Sequence, residues 1–212
     1  MTSTVEVPGL PFVVTASQPD VWRRDGGTVV ADAPGGTDLY VDPVGVTGAT
    51  SDGAAPAASL PDAPRLVGLP PDGDFRLGAR VSVDLRSTFD AGVLLLWRDE
   101  RTWAKLCLER SPAGEAMVVS VVTRGESDDA NAFVAPDDPV WLRVSRVDHV
   151  YAFHASTDGD RWTLVRVFGL GPDVGGHRVG FEAQSPTGPG CTVRFDDVRF
   201  DRERLTDLRD GS

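Results

Sequence analysis

Lys105 and Glu109 stand four residues apart in the stretch Trp103-Ala104-Lys105-Leu106-Cys107-Leu108-Glu109, and they are the pair best suited to chemistry in this chain. Side chains of a strand change sides at every residue. Trp103, Lys105, Cys107 and Glu109 therefore share one face, while Leu106 and Leu108 turn towards a core. Of the 21 basic residues, Lys105 is the single lysine and the rest are arginine. A compact ammonium in a central strand, where the chain otherwise uses a planar guanidinium, marks a place that takes a point charge. Beside a carboxyl, such an ammonium can bond hydroxyl groups or shift the carboxyl's pKa for acid or base work. Alternation along the other strands adds Ser120 and Arg124, then Trp141, Arg143 and Ser145, then Glu182 and Gln184 to the same face. That is too much charge for an interior. It describes a polar, partly aromatic face, either a concave sheet open to a ligand or a salt-bridged surface without one.

The elements that must position these residues are strands. Residues 91–97 are apolar throughout and too short for a helix, which predicts a strand covered on both faces. Residues 103–110 alternate, and 117–124 follow a turn at Pro112 to Gly114. Further strands are expected at 11–14, 21–31, 75–85, 140–147, 150–156, 162–167, 179–184 and 192–200, with turn residues between nearly all of them. Residues 43–71, rich in Gly, Ala, Pro and Ser, read as a long surface excursion with a short strand at 65–69. Helical periodicity is absent outside the tail, 202–212. The expected class is all-β, a two-sheet antiparallel β-sandwich with a concave face, formed by one domain over residues 1–212. A propeller would need an internal repeat of about 40 residues, and there is none.

Other constellations have plainer readings. Ser156-Thr157-Asp158-Gly159-Asp160-Arg161-Trp162 reads as a hairpin with a type I′ turn at Asp158-Gly159, and it is one residue short of the Asp-box of sialidases. Paired aspartates at 72/74, 128/129, 158/160 and 196/197 offer oxygen ligands for calcium, but without EF-hand spacing they read as ordinary acidic turns. Two cysteines and three scattered histidines do not make a zinc site, and Cys107 and Cys191 read as buried thiols. The E-x-D-x-x-E pattern of β-sandwich glucanases, the G-x-S-x-G elbow, the P-loop and the dinucleotide fingerprint are all missing. No cofactor is therefore expected. A net charge of −11 repels phosphate backbones and anionic membranes, so nucleic acid and membrane are not expected partners. The N-terminal stretch has no basic residue before Arg23 and no long apolar run, which reads as neither secretory signal nor anchor and predicts a soluble, cytoplasmic protein.

In order and spacing, Thr37-Asp38 with Tyr40, Ala91-Gly92, Trp103 to Glu109, Ser120 to Arg124, Ser127-Asp128, Trp141-Leu142-Arg143, Ser156 to Trp162 and Gln184-Ser185-Pro186 resemble the DUF1349 family. That family, also labelled regulation of enolase protein 1, belongs to the concanavalin A-like lectin and glucanase superfamily. The chain departs from it at Asp129, where the family often has tryptophan, and in the longer excursion. The resemblance implies a jelly roll with a concave face, similar to carbohydrate-binding modules and to the C-terminal sandwich of some β-xylosidases. It implies that Lys105, Glu109, Arg124, Asp128, Arg143 and Gln184 line a shared face. The first expectation is a non-catalytic module for a carbohydrate or small polar ligand, with Trp103 or Trp141 stacking on a ring. A second makes the protein a sugar hydrolase or isomerase using Glu109 and Lys105, which requires Asp128 or Glu182 within about 5 to 9 Å of Glu109. A third makes the polar face an interface with a metabolic enzyme.

Overall fold

Phe75, Leu77, Ala79, Val81 and Val83 take every second position of one strand and are all buried, whereas the residues between them are not. This period of two recurs along the chain and builds a two-sheet antiparallel β-sandwich. The structure, a computed structural model, describes residues 3–43, 60–135, 139–172 and 176–212. In chain order the strands are β1 Ser3–Val5, β2 Val14–Ala16, β3 Trp22–Asp25, β4 Thr28–Pro34, β5 Leu39–Tyr40, β6 Leu60–Pro61, β7 Arg65–Gly68, β8 Phe75–Val83 and β9 Ala91–Asp99. They continue with β10 Thr102–Arg110, β11 Ala116–Arg124, β12 Ser127–Val134, β13 Val140–Val147, β14 Val150–Ser156, β15 Thr163–Phe168, β16 Arg178–Gln184 and β17 Gly190–Asp201. One sheet runs β1-β2-β7-β16-β9-β10-β11-β12, the other β15-β14-β13-β8-β17-β4-β3, and β5 and β6 form a separate ribbon.

Between the sheets, Leu94, Leu96, Leu106, Leu108 and Val118 meet Leu77, Val81, Leu142, Phe153 and Phe195. Each large side chain buried there contributes about 1.5–3 kcal/mol. Gly92 sets how closely the sheets approach, because a Cβ on it would come within 2.6 Å of Val193 and 2.7 Å of Val81. The apolar run at the start of β9 is buried on both faces. Its second face, Ala91, Val93, Leu95 and Trp97, joins Trp103, Cys107, Val119 and Val121 in another cluster on the outside of the eight-stranded sheet, closed over by Leu39 and Ala63.

Four expectations need correction. Residues 127–134 form a strand that alternation did not indicate, because this edge strand has only a few apolar residues to show a period. Asp158 is absent from the positive-φ residues while Gly159 has φ +81°, so the Ser156 to Trp162 hairpin has no type I′ turn. Its loop is instead held by Ser156 Oγ and Asp158 Oδ1, which accept from the backbone N–H groups of Gly159, Asp160 and Arg161. The tail after Arg202 carries no helix. The 43–71 excursion holds, besides the strand expected at 65–69, which is β7 between β2 and β16, an unexpected β6 that pairs with β5; residues 44–59 are outside the described residues. Both cysteines are buried free thiols.

Candidate functional site

Register places the chemistry. Across β16, β9, β10, β11 and β12, one rung reads Gln184, Ala91, Glu109, Met117, Val134 and another reads Gly180, Leu95, Lys105, Val121, Asp129. The rung between them holds Glu182, Val93, Cys107, Val119 and Asn131. Lys105, Glu109, Glu182 and Gln184 therefore share the outer face of the eight-stranded sheet, as alternation predicts. A cavity of about 400 Å³ opens over Lys105, Glu109 and Gln184, walled by Tyr40, Phe89, Val119, Val121 and Pro186.

Lys105 lies at its floor, 3% exposed. Its Nζ donates to Asp38 Oδ1 at 3.0 Å and to Gln184 Oε1 at 2.8 Å, and lies 5.7 Å from the Trp103 ring. Asp38 arrives on the segment before β5, where Gly36 N–H donates to the Ser185 carbonyl and Asp62 and Ala63 N–H groups donate to its own carbonyl. Burial alone would lower the ammonium's pKa, but Asp38 first and then Glu182 hold it above its ordinary value. Burial pushes Glu109 up to about 8 against the pull of Lys105. It pushes Glu182 up to about 7 in the same way. Glu182 is fully buried and neither of its carboxyl oxygens has a hydrogen-bond partner among the described residues.

Gln184 extends the network to the rim. Its Nε2 donates to the Phe89 carbonyl at 3.1 Å. Phe89 has φ +69°, a left-handed conformation that a bulky residue adopts only when its surroundings impose it, and its side chain is 38% exposed. Those surroundings are visible: Phe89 N–H donates to the Arg110 carbonyl, and buried Asp90 accepts from Arg86 N–H, Ser87 N–H and the Ser185 hydroxyl.

The expected site residues separate into four groups. Lys105, Glu109 and Gln184 meet at the cavity. Trp103 is on the same face but fully buried, so it cannot stack on a ligand. Arg124 pairs with Thr102 and Ser120 with Leu106, which puts both on the other parity. Asp128 likewise points away, to Arg166 of β15, while its neighbour Asp129 faces the cavity. Trp141 and Arg143 belong to β13 of the opposite sheet and line a different cavity. The residues that sequence reasoning missed are Asp38, Tyr40, Phe89, Asp129 and Asn131. Asp38 and Tyr40 flank buried Leu39, a short alternation that was readable, but their partner Lys105 is 67 residues from Asp38. Among the described residues no cluster of three or more His, Cys, Asp or Glu could hold a metal ion. Nor is any helix among them long and apolar enough to cross a membrane.

A family described as a protein of unknown function, DUF1349, matches residues 16–203. A functionally unknown protein from Saccharomyces cerevisiae is 25% identical, with a TM-score of 0.73 over 90% of this chain and 97% of that one. The GH43 protein BlXynB of Bacillus licheniformis superposes with a TM-score of 0.68 at 15% identity, over 90% of this chain and 36% of that one. A xylan beta-1,4-xylosidase from Bacillus halodurans C-125 does so with 0.64 at 14%, over 87% of this chain and 35% of that one. At such identities the likeness to these enzymes is one of fold, and the chain spans about a third of each. None of the curated proteins matches. From the match over nearly its whole length, the chain belongs to the DUF1349 family and has that family's two-sheet concanavalin A-like sandwich.

Proposed function

We propose that this chain binds a small hydroxyl-rich ligand, a sugar or polyol, in the cavity over Lys105 and does no chemistry on it. The observation that carries the reading is the relay from Lys105 through Gln184 to Phe89, which ties a buried ammonium to an aromatic side chain held in a strained conformation at the cavity rim. Two of the three ammonium N–H donors are taken, leaving one for a ligand oxygen. Glu109, protonated at neutral pH, is a further donor, Asp129 an acceptor, and Asn131 both. Tyr40 and Phe89 supply the flat apolar surface that a sugar ring needs, in place of Trp103 and Trp141. About 400 Å³ suits one or two rings.

Binding is favoured over hydrolysis by the carboxyl geometry. Asp128 faces away and Glu182 is sealed from the cavity. Titration calorimetry against a panel of neutral monosaccharides and polyols tests the reading. The expected result is one class bound by the native protein and weakened about tenfold or more by Asp129→Asn and by Phe89→Gly. Binding of no member, or binding indifferent to both substitutions, overturns it.

A further inference from the structure

The outer face of the seven-stranded sheet carries a second cavity, of about 390 Å³. Its floor is another rung: Arg143, Gly78 and Arg199 follow one another across β13, β8 and β17, with His154 of β14 beyond them beneath the tail. Gly78 leaves the middle of that rung without a side chain, and a Cβ there would meet nothing nearer than the Leu142 carbonyl oxygen at 3.6 Å. Trp141, Trp162 and the 158–160 turn form the walls.

The arginines of this cavity are not equivalent. Arg76 is paired with Asp201 and Glu203, and Arg199 with Asp197. Arg143 is only 7% exposed, yet it pairs with no carboxylate among the described residues. Its guanidinium lies 4.1 Å over the Trp162 ring, one Nη donates to the Gly211 carbonyl at 2.7 Å, and its Nε has no partner. Burial and then the neighbouring Arg76 lower its pKa to about 10, against a smaller pull from Asp201, whose carboxylate is bonded to Arg76. A buried guanidinium without a counter-ion is costly, and its planar fork matches a carboxylate. Each ring carries a cation, Trp162 that of Arg143 and Trp141 that of Arg80 at 5.3 Å.

We infer that this cavity binds a small hydroxylated carboxylic acid, a sugar acid, with the ligand carboxylate on Arg143 and its hydroxyls towards Asp158 and Asp160. The site rests on nothing in the cavity over Lys105. The test is a titration of the native protein, labelled with 15N at tryptophan, with glucuronate and separately with glucose. The indole N–H signals of Trp141 and Trp162 are expected to shift with glucuronate, that of Trp103 to stay, and glucose to bind at least about tenfold more weakly. Gly78→Val suits a strand and fills the floor while every charge remains, and it is expected to weaken glucuronate about tenfold or more. Arg143→Lys keeps the charge without the fork and is expected to do the same; if it fails to fold, the native and Gly78→Val titrations decide. Phe89→Gly is expected to leave glucuronate binding unchanged. Absence of shifts at Trp141 and Trp162, equal affinity for glucose, full binding by Gly78→Val, or loss of binding in Phe89→Gly overturns the inference.

Discussion

Each outer face of the sandwich buries one cation beneath a segment that folds back over it, and the two segments answer that cation differently. Over the eight-stranded sheet, the residues before β5 bring the Asp38 carboxylate to Lys105. Over the seven-stranded sheet, the tail brings a backbone carbonyl, that of Gly211, to Arg143, and the Leu208 carbonyl to His154. A carboxylate satisfies both the donor and the charge, whereas a carbonyl satisfies the donor alone. Lys105 is therefore part of the structure and spares one N–H for a neutral ligand, while Arg143 keeps a charge that an anion can balance.

The largest effect that would sharpen this contrast is on stability. Lys105→Met leaves Asp38 and Gln184 without their partner in a buried site and is expected to cost about 3–5 kcal/mol in urea unfolding. Arg143→Met loses one hydrogen bond and a ring contact but also removes an unbalanced charge, and is expected to cost about 1–2 kcal/mol. The reverse order would break the comparison.

A smaller effect comes with pH. Glu109 and Glu182 have folded pKa values of about 8 and about 7, above the ordinary 4.5. The folded state thus holds more protons, and the stability these groups contribute is complete below the ordinary value and lost as pH rises through 7 to 8. His154 is depressed from 6.5 to about 4, chiefly by burial and next by Arg143, so its contribution is present above 6.5 and lost as pH falls through 4. Urea midpoints measured from pH 3 to pH 9 are expected to fall at both ends. Glu182→Gln is expected to flatten the alkaline limb and His154→Gln the acid limb. The smallest change is expected for Phe89→Gly, where relief of the left-handed φ offsets the lost contacts and stability stays within about 1 kcal/mol while sugar affinity falls.

Most of the strands and the placing of Lys105, Glu109, Glu182 and Gln184 were legible, because alternation with buried leucines on one parity leaves little freedom. What failed was the passage from one strand to the next. The stretch from Met117 to Thr123 is largely apolar on both parities, so alternation alone does not say that Val119 and Val121, and not Ser120, stand beside Lys105. Trp141 and Arg143 obey the same alternation but lie in the other sheet, and nothing within a strand records which sheet it joins. β12 was invisible because Asp, Asn and Ser fill half of its positions, and with it went Asp129.

The polar character of β12 bears on how the protein behaves at high concentration. β12 and β15 are the margins of different sheets, and Arg166 joins them by donating to both the carbonyl and the carboxylate of Asp128. Arg166 thereby braces the start of β12 against the other sheet, and the adjacent acidic side chains repel a second copy of the same edge. The clasp on Asp128 and the acidic margin beside it thus work together against strand addition and fibril growth.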